Sequence, residues 1–203
     1  MIRKVLYLLA PIAIIVSVFL LNSPTDTSAY RKYVADIRAE KIRFLKHSPD
    51  SPFNELDIKF HPIEYFPIDP EFKVTASLEK LAITEYLTIQ NSDGSQSRYQ
   101  KYAIAHFELQ GEKLELLILK PTGFGTPEGI YFTGFTDETS EIETYGGGRY
   151  IDLEIGKENS VTIDFNLAYN PYCAYMKGYI CPVPPKENVL PLKITAGEKD
   201  YKH

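Results

Sequence analysis

The sequence contains no tryptophan, only two cysteines and two methionines, and four histidines among its 203 residues. His47, His61, His106 and His203 show no pairing at helical or zinc-finger spacing, so no metal is expected. No Gly-x-Ser-x-Gly occurs, which leaves a nucleophile-elbow hydrolase without support, and no motif implies a cofactor. A basic stripe is also missing. Net charge is −5, and Arg3 and Lys4 are the only charges before residue 22, so the remainder is more acidic still. Phosphate-backbone binding needs clustered positive charge, and nucleic acid is therefore excluded as a partner. Internal repeats and low-complexity runs are absent as well.

What is present is an ordinary globular composition, 44% hydrophobic and 24% charged, with an aromatic inventory of 15 Tyr and 11 Phe. Tyrosine suits strands and half-buried faces, because its ring packs while its hydroxyl finds water or a partner. The length accommodates one well-buried core.

Val5–Leu21 is uncharged and mostly apolar behind the positive Met1–Lys4. As a helix it would reach about 25 Å, marginal for a hydrocarbon core of roughly 30 Å and long for a signal-peptide core. Residues 1–21 are expected to be a signal peptide or membrane anchor, the latter joining the protein to the membrane through residues 5–21 if uncleaved. The basic flank places the body outside the cytoplasm, as an exported protein. Residues 22–29 read as a linker, and residues 30–203 as one β-rich domain.

Within that domain the spacing of Tyr33/Val34, Ile37, Lys41 and Phe44/Leu45 predicts an amphipathic helix over 30–46. Asp26 or Ser28 is available to cap it, and Pro49 and Pro52 stop it. Residues 48–71 are proline-punctuated. From about Phe72 the period becomes two, with strands predicted at 72–78, 83–90, 98–109, 113–119, 130–135, 150–155, 161–165 and 192–195. Asn91–Gly94 and Gln110–Glu112 carry turn chemistry. Eight or so short strands with one helix indicate a mainly β fold, an antiparallel sandwich or barrel.

Several constellations could carry chemistry. Cys173 and Cys181 form either a disulfide, closing a loop worth roughly 2.5 kcal/mol in chain entropy, or a buried pair of free thiols. The glycines of Glu143–Tyr150 permit positive φ, and Arg149 adds a planar fork for a carboxylate or phosphate. The plainer reading is a tight loop with Arg149 paired to Glu143 or Asp164. Asp164, Asn166 and Asn170, beside Tyr169 and Tyr172, either polarise a hydroxyl-rich ligand or close a structured loop through Asx-turn chemistry. The acidic run Asp137, Glu138, Glu141 and Glu143 lacks EF-hand spacing and reads as a solvated loop.

The segments Glu143–Leu153 (ETYGGGRYIDL), Asp164–Tyr175 (DFNLAYNPYCAY), Cys181–Asn188 (CPVPPKEN) and Ala196–Lys199 (AGEK), with Phe66–Val74 (FPIDPEFKV), resemble an uncharacterised prokaryotic family, the domain of unknown function numbered 1684. The resemblance implies one intact domain whose characteristic part is Glu143–Asn188. It supplies no catalytic residues.

Three functions compete. The first is a non-catalytic extracytoplasmic module that binds a small polar or sugar-like ligand, or an envelope partner, through Glu143, Tyr145, Arg149, Asp164, Asn166, Tyr169 and Asn170. The second is a hydrolase using Glu143 and Asp164 with Arg149 as anion holder, which requires the three side chains to share a cleft. The third is a purely structural envelope protein.

Overall fold

A computed structural model describes residues 27–122, 129–156 and 158–203. The expected anchor or signal at 1–21, and most of the linker, lie outside the described residues. Among the described residues no helix is long and apolar enough to cross a membrane.

Helix α1 spans Ser28–His47. Its N-cap is Thr27, without a side-chain capping bond, and Ser28 lies inside the first turn instead of before it. The helix ends two residues before Pro49, with Lys46 and His47 in the last turn, where positive charge meets the exposed carbonyls. Its docking face is narrower than the predicted stripe. Val34 and Leu45 are buried, Ile37, Arg38, Lys41 and Ile42 are half-buried, and Tyr33 and Phe44 face solvent. Arg38 belongs to that face because its guanidinium donates to the carbonyls of Asn166 (2.9 Å) and Phe66 (2.9 Å) and stacks on the Tyr65 ring. A short helix α2, Pro52–Glu55, follows, with the Ser51 hydroxyl accepting from the Phe53 N–H.

The strands are β1 (Lys73–Gln90), β2 (Gln96–Leu109), β3 (Glu112–Pro121), β4 (Tyr131–Asp137), β5 (Arg149–Leu153), β6 (Ser160–Asp164) and β7 (Val189–Leu190). They form one curled sheet in the order β5-β4-β3-β2-β1-β6, antiparallel throughout except that β7 runs parallel to β4. The result is a mainly β fold built on a curled half-barrel sheet. Tyr150 of β5 exchanges backbone hydrogen bonds with Tyr169, just beyond β6, which draws the two ends of the sheet together.

The predicted strands at 72–78 and 83–90 are one strand. β1 continues through a bulge between Lys80 and Glu85, where extra residues bend it across the sheet. Gln110 and Gly111 both take positive φ, the conformation a two-residue hairpin requires. The predicted strand at 192–195 is not one. Leu192 and Ile194 are buried with the right alternation, but the carbonyl of Ile194 is taken by the Arg149 guanidinium and its N–H by Asp137. Side chains thus replace the ladder that a strand would need.

The main core fills the concave side, with Leu114, Leu116 and Ile118 of β3, Phe107 of β2, Phe135 of β4, Ile163 of β6 and Phe165 beyond it. Leu117 and Leu119 point to the opposite face, where they pack with Ile89, so β3 is covered on both sides. A third cluster joins Leu45 of α1 and Phe53 of α2 to Tyr175, Met176 and Tyr201, which seats the helix and the C-terminal segment against the loop after β6.

Candidate functional site

A cavity of about 660 Å³ opens between α1, β5 and the loop running from Asn166 to Pro182. Six rings wall it: Tyr65, Phe132, Tyr150, Tyr169, Tyr172 and Tyr175. Each is held by its neighbours. The Tyr150 hydroxyl donates to the Pro182 carbonyl, and the Tyr169 hydroxyl donates to Asp152 at 2.9 Å. Lys41 of α1 sits over the Tyr169 ring, 4.7 Å from its centroid.

The floor is organised by Glu198, whose side chain is 1% exposed. Its carboxylate accepts from Lys41 Nζ (2.7 Å), the Tyr65 hydroxyl (3.1 Å), the Asn170 backbone N–H (2.9 Å) and the Tyr175 hydroxyl. Four donors fill the acceptor sites of one carboxyl group, which offsets the cost of burying it. Burial first, and the neighbouring carboxylate second, push the phenols of Tyr65 and Tyr175 upward, so both remain donors at neutral pH. Gly197 makes the arrangement possible. Its φ is +80°, and a Cβ there would lie 2.7 Å from the Ala168 carbonyl oxygen and 2.8 Å from that of Phe165. Only glycine lets the C-terminal segment approach closely enough for the Glu198 N–H to reach Ala168.

Of the residues singled out in the sequence, Asn166, Tyr169 and Asn170 line this cavity. Asn166 is fully buried and acts as a staple. Its Oδ1 accepts from the Asp69 N–H at 2.9 Å, while its Nδ2 donates to the Asp69 carbonyl at 2.7 Å. Asn170 donates through Nδ2 to the Lys199 carbonyl at 2.8 Å.

The other four lie elsewhere. Asp164 caps the 3-10 turn after β6 through the Asn166 N–H and accepts the Tyr30 hydroxyl from α1 (2.9 Å), the Asx chemistry of a closed loop. Tyr145 directs its hydroxyl at Cys173 Sγ, 3.8 Å away. Glu143 is exposed, anchored only through its backbone to Thr139 and Asp200. Arg149 is 1% exposed and pairs with neither Glu143 nor Asp164 but with Asp137, at 2.7 Å. Its two terminal nitrogens also reach the carbonyls of Ile194 (2.9 Å), Glu198 (3.3 Å) and Ala196, while Nε has no hydrogen-bond partner among the described residues. Burial lowers the Arg149 pKa and the Asp137 carboxylate opposes that shift. The three groups of the hydrolase reading are therefore held in three separate places.

Cys173 and Cys181 are free thiols, Cys181 on the cavity wall.

Sequence reasoning passed over Glu198, Lys41, Arg38 and Tyr175 as site residues, and took Asp137 for part of a solvated run. A signal existed for two of them. Thr133, Phe135 and Asp137 share the buried side of β4, and Ile194, Ala196 and Glu198 alternate in the same way, so a period-two reading carried one residue further places both acids inside.

Comparison with known proteins agrees with this architecture. An uncharacterised protein from Haloarcula marismortui, solved by solution NMR, is similar at 34% identity with a TM-score of 0.64, over 88% of this chain and 98% of that one. No curated protein matches. The family model described as a protein of unknown function, DUF1684, matches residues 58–199, which include β1 to β7, the aromatic wall and Glu198. The chain belongs to the DUF1684 family of proteins of unknown function.

Proposed function

We propose that this protein is a small-molecule-binding module whose ligand enters the ring-walled cavity between α1 and the 166–182 loop. The volume, about 660 Å³, falls within the range of small-molecule sites, roughly 300–1,000 Å³. The polar groups on its floor are already engaged within the protein. Glu198 is saturated by four donors, Lys41 is paired with it, and Arg38 spends its donors on the backbone carbonyls of Asn166 and Phe66. A ligand that brought its own net charge would have to displace one of these bonds. The ligand class that fits is uncharged, with a flat or hydrocarbon body to lie on the tyrosine faces and a polar edge toward Lys41 and Asp152. A sugar ring presenting its C–H face to an aromatic wall meets this description.

The observation that carries the reading is the convergence of six rings on a concave wall above a floor whose charged side chains are already hydrogen-bonded. Glu198 is not a general base in this reading, because a carboxylate whose lone pairs are all occupied has none with which to take a substrate proton. Export to the cell envelope is part of the proposal and rests on the apolar Val5–Leu21 segment; fractionation of cells expressing the tagged full chain tests it, and recovery in the cytosol refutes it.

The binding test is a thermal-shift and calorimetric panel of uncharged mono- and disaccharides and ring-bearing metabolites against the full chain. Ile180, on the rim and 58% exposed, supplies the control. Ile180→Arg should leave the fold intact and abolish any hit by filling the mouth. A panel without a hit, or a hit indifferent to this substitution, removes the proposal.

A further inference from the structure

Two thiols meet beside the cavity in an arrangement that ligand binding does not use. Cys173 lies in the short helix α3, Tyr172–Tyr175, and is partly exposed, whereas Cys181 is 8% exposed. The Cys173 N–H donates to Cys181 Sγ at 3.3 Å, so the second sulfur sits directly against the first residue's backbone. Cys181 is held in place. Its N–H donates to the Ser92 hydroxyl at 3.2 Å and its carbonyl accepts the Ser92 N–H at 2.9 Å, which ties it to the β1–β2 turn. Cys173 has a different setting, facing the Tyr145 hydroxyl at 3.8 Å.

We propose that Cys173 and Cys181 are a hydroperoxide-responsive dithiol, Cys173 the attacking sulfur and Cys181 the resolving one. The oxidant is an external hydroperoxide, hydrogen peroxide or an alkyl hydroperoxide. The Cys173 thiolate attacks the terminal peroxide oxygen. An S–O bond forms as the O–O bond breaks, and the departing hydroxide or alkoxide takes a proton and leaves as water or alcohol. Cys181 then gives up its proton as its sulfur attacks the Cys173 sulfur. The S–S bond forms, the S–O bond breaks, and the hydroxide leaves with that proton as water. The two thiols supply the two electrons that reduce the peroxide.

The division of labour follows from the asymmetry. An attacking thiol must be reachable and must be stabilised as a thiolate; a resolving thiol needs only to be near and fixed. Hydrogen bonding from the Cys181 thiol, assisted by Tyr145, brings the Cys173 thiol down to about 6, while the same contact pushes Cys181 up. Tyr145 itself, pushed up to about 12 by burial and by Cys173, keeps its proton to donate. Once Cys173 is oxidised its negative charge is gone and Cys181 is free to ionise. The two readings of the pair, disulfide or buried free thiols, become the two redox states of one dithiol in this proposal.

The test treats the reduced full chain with one equivalent of hydrogen peroxide, alkylates it, and reads intact and peptide masses. The expected result is loss of two hydrogens, protection of both cysteines, and a 173–181 crosslink that a reductant reverses. Cys181→Ser should accumulate a sulfenic acid on Cys173, trapped by dimedone. Cys173→Ser should consume peroxide at least about tenfold more slowly, for want of an exposed thiolate. Tyr145→Phe leaves both thiols and should shift the pH profile of Cys173 alkylation upward. Equal rates in the two serine variants, or full alkylation of either cysteine after peroxide, overturns the proposal. Alanine at each position, checked by circular dichroism, guards against a folding defect in the serine variants. None of these readouts involves a cavity ligand, so this inference and the binding proposal fail separately.

Discussion

Replacing Arg149 by methionine keeps most of the side-chain volume and removes the charge that organises one end of the half-barrel. In the folded protein both partners of the Arg149–Asp137 pair are 1% exposed. The substitution leaves the Asp137 carboxylate buried with only the Thr139 hydroxyl (2.6 Å), the Thr139 N–H (2.7 Å) and the Ile194 N–H (3.3 Å) for company. It also strips the donor from the carbonyls of Ile194 and Ala196. Breaking a buried pair by removing one member costs about 3–5 kcal/mol. That is a large share of the roughly 5–15 kcal/mol that holds a domain folded. For a chain of this size the loss corresponds to a fall in Tm of about 6–20 °C. Urea unfolding followed by circular dichroism measures it, with the midpoint falling and the slope unchanged. Asp137→Asn in the same background completes a double-mutant cycle. If Arg149 served an anion ligand instead, Arg149→Met would be nearly neutral in stability and would lose only binding. A destabilisation below about 1 kcal/mol refutes the structural role argued here.

Other perturbations read other parts of the molecule. Asn188→Ala should cost more than about 3 kcal/mol, because the side chain satisfies the Leu117 N–H (2.7 Å) and the carbonyls of Leu117 (3.0 Å) and Gly134 (2.8 Å); hydrogen exchange at Leu117 should accelerate with it. Gly197→Ala should lose about 1–3 kcal/mol from the left-handed backbone alone, and more from the close approach to Ala168, measured by thermal unfolding. Tyr30, Tyr65, Tyr150, Tyr169 and Tyr175 all have phenols raised above the ordinary 10.0, chiefly by burial. Their contribution to stability is complete below about pH 10, where both states are protonated, and drains away above it as the unfolded chain ionises and the folded one resists. A step of tyrosinate absorbance worth five phenols should therefore appear only together with unfolding; ionisation of all fifteen tyrosines well before unfolding would contradict the burial. Lys41→Met should destabilise the cavity floor by leaving Glu198 without its cation, and a ligand hit should weaken in parallel; unchanged ligand affinity would separate the floor from the site.

Local chemistry was legible in the chain and partner identity was not. The Asn91–Gly94 and Gln110–Gly111 turns, the alternation of β2 and the apolar run of β3 announce themselves because turn geometry and burial act within a few residues. The helix was legible for the same reason, though the exposure of Tyr33 and Phe44 was not, since apolar residues at the stripe's edge look the same whether they dock or face water. The segment 192–195 shows the limit from the other side. Its alternation correctly marks Leu192 and Ile194 as buried, yet the groups that take its hydrogen bonds are Arg149 and Asp137, some fifty residues away. Glu198 stands in a polar Gly-Glu-Lys-Asp run that resembles a solvated tail, and its main cation, Lys41, is 157 residues distant. No periodicity reports such a pairing.

The motifs that carry the family resemblance are largely motifs of construction. Arg149 in the first, Asn166 in the second, Asn188 in the third and Gly197 with Glu198 in the fourth are all buried, and each hydrogen-bonds or packs against backbone from a different part of the chain. A curled sheet that does not close needs such polar staples. Among the described residues β3 and β4 share one registered pair, Leu119 with Phe132, and Asn188 adds hydrogen bonds to both strands. Tyr150 and Tyr169 bridge the other opening. The loop from Asn166 to Pro182 is thereby fixed from both ends, and the rings it projects form a wall that would not have to reorganise for the ligand proposed above. A preformed wall lowers the cost of ordering side chains on binding. The buried staples and the rings of the wall are thus two halves of one device, the first setting the shape that the second presents.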